Sequence, residues 1–234
     1  MLKVEHVTKR YGKTIANQDI SLSVGAGERA VLLGPNGAGK STLIKCITGL
    51  LRFEGSILID GHPNKSTEAK ALLGYVPEIP AVYDLLTVGE HLEFIARAYK
   101  LTDWRKDADA LLERLELMEK RDALGKELSK GMQQKLSIAC ALLPKPRLVV
   151  FDEPLVGLDP HAIKELKEML GELTASGAAV FISTHMLDSV EQTWDSAYIM
   201  VKGQVSAHIM NGQEGQKTLE EQFFAITEGG EAAL

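Results

Sequence analysis

One short stretch constrains the fold of this chain more than any other. Residues 34–41 read Gly-Pro-Asn-Gly-Ala-Gly-Lys-Ser and match the spacing G-x-x-x-x-G-K-[ST]. In this spacing the glycines let backbone N–H groups approach phosphate oxygens, while Lys40 supplies a positive charge and Ser41 a hydroxyl ligand for Mg²⁺. An apolar run precedes the stretch at residues 30–33, and apolar residues at helical spacing follow it. The sequence therefore predicts a phosphate-binding loop between a buried strand and a helix whose N-terminus points at the anion.

Length, charge and cysteine content limit the functions open to the chain. Its 234 residues, 45% of them hydrophobic, are enough to bury a substantial core. The net charge of −6, without a long Lys/Arg run, argues against non-specific binding of nucleic acid. Cys46 and Cys140 fall in predicted apolar helices, which favours reduced thiols over a disulfide framework. The chain shows no signal peptide and no stretch of roughly 20 apolar residues, so we expect any membrane role to need a partner chain.

Hydrophobic patterning predicts the order of the strands and helices. Strands are expected at residues 2–7, 14–24, 30–33, 55–61, 72–77, 148–152 and 178–182, with two more within residues 197–209. Helices are expected after the phosphate loop as far as Leu51, from Thr87, Asp103, Ser129 and Asp159 onward, and at residues 217–226. This order predicts an α/β fold of the P-loop NTPase type, with a central mostly parallel sheet, an N-terminal antiparallel β-subdomain and a helical subdomain inserted at about 87–137. We expect a single domain over residues 1–234, with a short tail at about 217–234 that is frayed at residues 228–231.

Polar side chains follow two of the predicted buried strands. Asp152 and Glu153 end the strand at 148–152, and His185 follows the strand at 178–182. In isolation, such residues are often solvated charges or a satisfied surface histidine. Because the same chain holds a loop that needs Mg²⁺ and an activated water, and the carboxyl ends of parallel strands share one edge, we assign these residues to the phosphate site.

Two further positions have ordinary interpretations when taken alone. Tyr11 lies at a turn between strands, where an aromatic ring either stacks on adenine or is simply half-exposed, and the pattern by itself favours the second. Ser129 precedes a helix, and a serine there is more often an N-cap than a ligand. The order of the motifs along the chain is what gives both residues a functional interpretation.

The complete order of motifs closely resembles that of the nucleotide-binding subunit of an ATP-binding-cassette (ABC) transporter, over residues 1–225. The resemblance implies that Tyr11 stacks on adenine, that Asp152 lies near Mg²⁺ and that Glu153 polarises the attacking water. It places Asp159 in the D-loop and His185 against the γ-phosphate. The residues that it assigns to the phosphates are Gly34, Pro35, Asn36, Gly37, Ala38, Gly39, Lys40, Ser41 and Thr42.

The signature motif departs from the family pattern. It usually reads Leu-Ser-Gly-Gly-Gln, and here residues 128–132 read Leu-Ser-Lys-Gly-Met. In the family this motif faces the γ-phosphate held by the opposite subunit. The resemblance therefore carries Ser129 and Gly131 over to that role, and the positive charge of Lys130 is compatible with the anion.

Glu78 is the second departure, because the family has a glutamine there that touches Mg²⁺ and links the site to the membrane subunit. A carboxylate also ligates Mg²⁺, yet it lacks the donors of the amide and adds charge. The expected metal ligands are therefore Ser41, Asp152 and Glu78, whereas the effect of Glu78 on coupling stays open.

The resemblance implies a subunit that binds and hydrolyses ATP with Mg²⁺ and powers an ABC transporter through ATP-driven closure and reopening of a dimer. Its implied partners are a membrane-spanning permease subunit and a second ATP-binding subunit, identical or different, and not nucleic acid. Its implied place is peripheral, at the cytoplasmic face of the cell membrane. The form of the signature and the short C-terminal tail are more similar to exporter-type cassettes than to importers with an added regulatory domain.

Two other functions stay open from the sequence. One is a soluble ABC-type ATPase that acts on DNA or the ribosome, but only a short insertion separates Glu78 from Ser129, and the chain has a single phosphate loop. The other is a non-hydrolysing nucleotide-binding regulator. The presence of Glu153 and His185 argues against such a regulator. A phosphate-release assay distinguishes a non-hydrolysing regulator from an ATPase.

Overall fold

A computed structural model of the chain describes residues 1–187, 194–212 and 218–228. In chain order its strands and helices are β1 (Leu2–Tyr11), β2 (Thr14–Val24), β3 (Arg29–Leu33), α1 (Lys40–Ile47), β4 (Glu54–Ile59), β5 (His62–Pro63), α2 (Thr67–Ala71), β6 (Leu73–Val76), α3 (Val88–Ala98), α4 (Trp104–Arg114), α5 (Lys130–Leu142), β7 (Leu148–Asp152), α6 (Pro160–Ala175), β8 (Ala179–Thr184), β9 (Ser196–Val201), β10 (Gln204–Met210) and α7 (Leu219–Glu228). Among the helices of these ranges, none has both the length and the apolar character needed to cross a membrane.

The strands form two sheets, which confirms the predicted fold class. An antiparallel sheet has the order β2-β1-β4-β5, and a second sheet has the order β10-β9-β3-β8-β7-β6. In the second sheet β9, β3, β8, β7 and β6 are parallel, and only β10 runs antiparallel to its neighbour. The carboxyl ends of β3, β7 and β8 therefore lie side by side at one edge, which is where an α/β sheet presents its site.

Alternating side chains of the central sheet enter two different cores. In β7, Leu148 and Val150 pack with β1, β2 and α1, whereas Val149 and Phe151 pack with helices α3 to α6. Because every residue of β7 is buried, this strand reads as a continuous apolar run that ends in a carboxylate. The inserted helices and α6 cover β6 to β8 on one face of the sheet, and α7 packs against β3 and β9. The antiparallel sheet and α1 cover the other face.

Local capping explains where the inserted helices begin. Thr87 and Glu90 form the predicted capping box: the Thr87 hydroxyl accepts from the backbone N–H of Glu90 at 3.1 Å, and the Glu90 carboxylate accepts from that of Thr87 at 2.7 Å. Helix α5 starts directly after Ser129, whose hydroxyl accepts from the backbone N–H of Met132 at 3.3 Å. The sequence therefore predicts these helix starts correctly.

Several predicted boundaries were wrong. Helix α1 ends at Ile47 rather than near Leu51, because Gly49 has φ +78° and breaks the helix, and this leaves Leu50 64% exposed. Strand β1 continues to Tyr11, beyond its predicted end. In the tail, α7 extends to Glu228, two residues beyond the predicted end of the helix. Residue 217 of the predicted helix and residues 229–231 of the predicted frayed end lie outside the described residues.

Both cysteines are free thiols whose reactivity burial suppresses. Burial raises the pKa of Cys46 to about 11 and that of Cys140 to about 12.

We expect iodoacetamide at pH 8 to alkylate both cysteines at least ~100-fold more slowly in the folded chain than in urea, because the thiolate is the reactive form. Since both folded pKa values exceed the unfolded value, their contribution to stability is present below about pH 8.5 and is lost as the pH rises through the folded values. Mass spectrometry of timed samples measures the rates, and equal rates in both states would contradict this.

Candidate functional site

A cleft of about 720 Å³ lies where β3, β7 and β8 end. Its walls come from the phosphate loop, from the ends of β7 and β8, and from two turns that are distant in sequence. The lining residues are Thr14, Ile15, Ala16, Asn36, Gly37, Ala38, Gly39, Lys40, Ser41, Thr42, Glu78, Glu153, Val156, His185, Lys202 and Gly203. The structure thus brings together the loop, Glu78, Glu153 and His185, as the sequence predicts.

Two hydrogen bonds from neighbouring elements, one from a side chain and one from the backbone, hold the phosphate loop in place. The Asn17 side-chain amide donates to the Gly39 carbonyl at 3.1 Å, and the Gly203 backbone N–H donates to the Ala38 carbonyl at 3.0 Å. Gly39 precedes α1 with φ +102°, a conformation that L side chains rarely adopt. The loop therefore holds its shape through contacts with β2 and with the turn between β9 and β10.

Substituting Gly39 with alanine is expected to destabilise the fold far more than the same change at Gly61. A Cβ at Gly39 would lie 2.5 Å from the Ala16 carbonyl oxygen and 2.7 Å from the Asn17 side-chain nitrogen, whereas Gly61 has φ +83° and open space around it. We expect Gly39→Ala to lower the free energy of unfolding by about 3 kcal/mol and Gly61→Ala by about 1 kcal/mol. Urea denaturation measures both, and equal losses would contradict the close packing behind the loop.

Lys40 is buried at the first turn of α1, with 6% of its surface exposed. Its ammonium donates to the Gly34 carbonyl at 2.7 Å and to the Pro35 carbonyl at 3.3 Å, and it lies 3.7 Å from Glu153 Oε1. Burial lowers its pKa, and the nearby carboxylates of Glu153, Asp152 and Glu78 oppose that shift. A cation held in this way is suited to meet phosphate charge.

The oxygen atoms of Ser41 and Asp152 meet at the base of the cleft. The Ser41 hydroxyl donates to Asp152 Oδ1 at 3.1 Å, and the Ser183 hydroxyl donates to the same oxygen at 2.6 Å. Within the described ranges no three His, Cys, Asp or Glu side chains cluster as a preformed metal site. Such a small set of oxygens suits Mg²⁺, which usually takes one or two protein carboxylates and completes its shell with water and substrate phosphates. Glu78, exposed beside the same cleft, is a further oxygen donor.

Glu153 follows β7 in a left-handed backbone conformation, with φ +48°. Its Oε1 lies 2.9 Å from His185 Nδ1, and its Oε2 accepts from the His185 backbone N–H at 3.4 Å. Only 6% of its surface is exposed. The unusual backbone angle turns this carboxylate toward Lys40 and His185 and into the cleft, where it is placed to accept a proton.

Seven sequence-predicted site residues do not line this cleft. Gly34 and Pro35 accept hydrogen bonds from Lys40, and Asp152 accepts one from Ser41, so these three contact lining residues without lining the cleft themselves. The other four are Tyr11, Ser129, Gly131 and Asp159. Tyr11 is 49% exposed, with the Lys9 ammonium 4.8 Å from its ring centroid, and its near neighbour Ile15 lines the cleft in its place. Ser129 and Asp159 cap α5 and α6, and Gly131 lies in the first turn of α5. Within one chain, therefore, these residues do not complete the cleft.

Six of the lining residues were not predicted from the sequence: Thr14, Ile15, Ala16, Val156, Lys202 and Gly203. Residues 14–16 begin β2 and residues 202–203 form a turn, so their patterns indicate only hairpins. The one available signal was the position of Thr14 three residues after Tyr11, which the family resemblance assigns to adenine.

The family described as ABC transporter matches residues 17–156. The lipopolysaccharide export system ATP-binding protein LptB of Haemophilus influenzae is 33% identical, over 95% of this chain and 98% of LptB. A solved structure of an ATP-binding subunit of an ABC transporter superposes with a TM-score of 0.91 at 35% identity, covering 97% of this chain and 99% of that chain. The dimeric structure of MJ0796, a bacterial ABC transporter cassette, gives a TM-score of 0.81 at 27% identity, covering 91% and 100%.

Proposed function

The chain belongs to the ABC transporter family, and we propose that Lys40, Glu153 and His185 are the residues with which it hydrolyses ATP. It is an ATP-binding subunit, and subunits of this kind are ATPases that power transport. The observation that carries the proposal is the contact of Glu153 Oε1 with His185 Nδ1 at 2.9 Å and with Lys40 Nζ at 3.7 Å, beside the phosphate loop.

Catalysis in this arrangement rests on positioning and electrostatics. Lys40 and the loop amides hold the phosphate oxygens. Glu153 orients the attacking water and accepts its proton, and His185 stabilises the charge that develops on the transferred phosphoryl group. Because Glu153 and Lys40 are almost fully buried, water outside the site screens their charges weakly.

Ser41, Asp152 and Glu78 are the proposed ligands of Mg²⁺. The 3.1 Å approach of the Ser41 hydroxyl to Asp152 supports this, since it places two hard oxygen donors side by side at the base of the cleft. When bound, Mg²⁺ supplies positive charge to the phosphate oxygens. Ser183 holds the Asp152 carboxylate in place through a 2.6 Å hydrogen bond.

Ser129, Gly131 and Asp159 serve the ATP of a second subunit in this proposal. They cap or begin helices outside the cleft of their own chain, and helix N-termini attract anions. Two subunits then meet head to tail around two ATP molecules, close on binding and reopen on hydrolysis. The half-exposed ring of Tyr11 is assigned to adenine. The dimeric structure of the similar MJ0796 cassette supports the pairing of two subunits.

We also propose that a membrane-spanning permease binds the dimer at the cytoplasmic face of the cell membrane and that transport is outward. The family supports the permease partner, and the similarity to LptB, the ATP-binding protein of an export system, supports the direction. The subunit is peripheral in this assignment, because the permease supplies the path across the bilayer.

Removal of Mg²⁺ tests the metal assignment. Phosphate release by the purified chain is expected to stop in EDTA, and Asp152→Asn is expected to raise the Mg²⁺ concentration for half-maximal rate by at least ~10-fold. Asp60→Asn is the matched control, because its carboxylate pairs with Arg147 at 2.6 Å on the surface. Release that persists without Mg²⁺, or an unchanged requirement in Asp152→Asn, would contradict the assignment.

A further inference from the structure

We propose that Gln134 and Lys135 are positioning residues for ATP hydrolysis, because they fix α5 to residues 154–159. This inference rests on the proposed function. In the proposed dimer Ser129 and Glu153 of one chain serve different ATP molecules, and the fixed segment makes them move as one unit. The two sites are thereby mechanically linked through each chain.

The first turn of α5 lies directly against the segment that follows Glu153. A Cβ built on Gly131 would lie 2.7 Å from the Gly157 carbonyl oxygen, closer than real Cβ contacts occur. Glycine is therefore the residue that lets this helix start approach the loop between β7 and α6. Because of this close approach, the signature motif (residues 128–132) and residues 154–159 pack directly against each other.

Gln134 and Lys135 extend the same contact along α5. The Gln134 side chain is buried, and its amide donates to the Pro154 carbonyl at 3.4 Å, directly after Glu153. The Lys135 ammonium lies 3.1 Å from Asp159 Oδ2. Asp159 Oδ1 accepts a hydrogen bond from the backbone N–H of Ala162 in the first turn of α6. The two ends of the segment are thus held by neighbouring residues of one helix.

Lys135 is buried between two carboxylates, so a movement of α5 also moves the residues that its ammonium contacts. Only 7% of its surface is exposed, and its ammonium also lies 3.2 Å from Glu116 Oε2, in the turn that follows α4. A buried cation with two carboxylate partners has few alternative positions. A shift of α5 on engagement of Ser129 therefore displaces Asp159 and, through Pro154, the backbone that orients Glu153.

The test compares Lys135→Met, Lys135→Arg and the near-isosteric Gln134→Leu with the wild-type chain. We expect Lys135→Met and Gln134→Leu to lower kcat by about tenfold while the Kd for fluorescent trinitrophenyl-ATP stays within about twofold, because orientation and not binding is lost. Hydrogen exchange of the amides at residues 155–159 should accelerate in both, and Lys135→Arg should restore most of kcat. Lys164→Met is the control, since Lys164 is exposed on α6 and pairs with Glu168.

The outcomes separate this inference from the proposed function. One outcome is that the wild-type chain turns over ATP and Glu153→Gln abolishes this turnover, while kcat and hydrogen exchange stay unchanged in Lys135→Met and Gln134→Leu. That outcome would overturn the proposed role of Gln134 and Lys135 and leave the proposed function standing. Equal impairment of Lys135→Arg and Lys135→Met would also overturn it, because the cation would then not be the operative group. A wild-type chain that binds ATP without releasing phosphate would instead overturn the proposed function.

Discussion

Glu153→Gln is expected to lower the rate of phosphate release by at least ~100-fold while leaving the Kd for ATP within about threefold. The amide has the shape of the carboxylate but does not accept the proton of the attacking water. His185 and Lys40, which lie 2.9 and 3.7 Å from Glu153 Oε1, keep their places because the side chain is the same size. Bound ATP should therefore accumulate, and the closed dimer with it.

A coupled phosphate assay measures the rate, and size-exclusion chromatography with MgATP measures the dimer. Glu168→Gln is the matched control, because Glu168 lies on the solvent side of α6, 3.8 Å from Lys164. Its turnover should equal that of the wild-type chain. Turnover in Glu153→Gln at the wild-type rate would remove Glu153 from the role of base.

Lys40→Ala is expected to weaken ATP binding by at least ~100-fold, because it removes a buried cation directed at the phosphates. The side chain is 6% exposed, so bulk water does not replace its charge in the cleft. Its loss also leaves the Gly34 and Pro35 carbonyls without the ammonium that they now accept from. Both effects act on the ground state, so affinity falls together with turnover.

Equilibrium binding of a fluorescent ATP analogue measures the change. Lys45→Ala, an exposed lysine one turn further along α1, is the matched control and should bind ATP like the wild-type chain. Equal affinity in Lys40→Ala and the wild-type chain would contradict the placement of the phosphates. Lys40→Arg should not restore binding, because the planar guanidinium does not fit a site built around a compact ammonium.

The sequence predicted the part of the site that local pattern determines. The spacing of residues 34–41 predicts the phosphate loop, and the apolar run that ends at Asp152 predicts a buried strand. Since the carboxyl ends of parallel strands share an edge, those patterns alone place Glu153 and His185 beside the loop. The structure agrees with that placement.

Non-local packing determines what the sequence did not predict. Ile15 and Lys202 reach the cleft because two hairpins fold against the loop, as the Gly203 to Ala38 hydrogen bond shows, and hairpin patterns carry no information about such neighbours. Leu50 was misassigned because apolar spacing continues past Gly49, whose positive φ ends the helix. The contact of Lys135 with Asp159 joins two elements that are separate in sequence, so the local pattern of neither element indicates it.

The central claim, that Ser129 of a second chain completes the ATP site, is tested most directly by mixing two inactive variants. Lys40→Ala removes the phosphate cation and Ser129→Arg blocks the signature turn, so each variant alone should release almost no phosphate. In a mixed dimer one site receives both defects and the other receives none. Random pairing therefore predicts recovery of up to about a quarter of the wild-type rate. No recovery on mixing, or full activity of Ser129→Arg alone, would contradict a site shared between two chains.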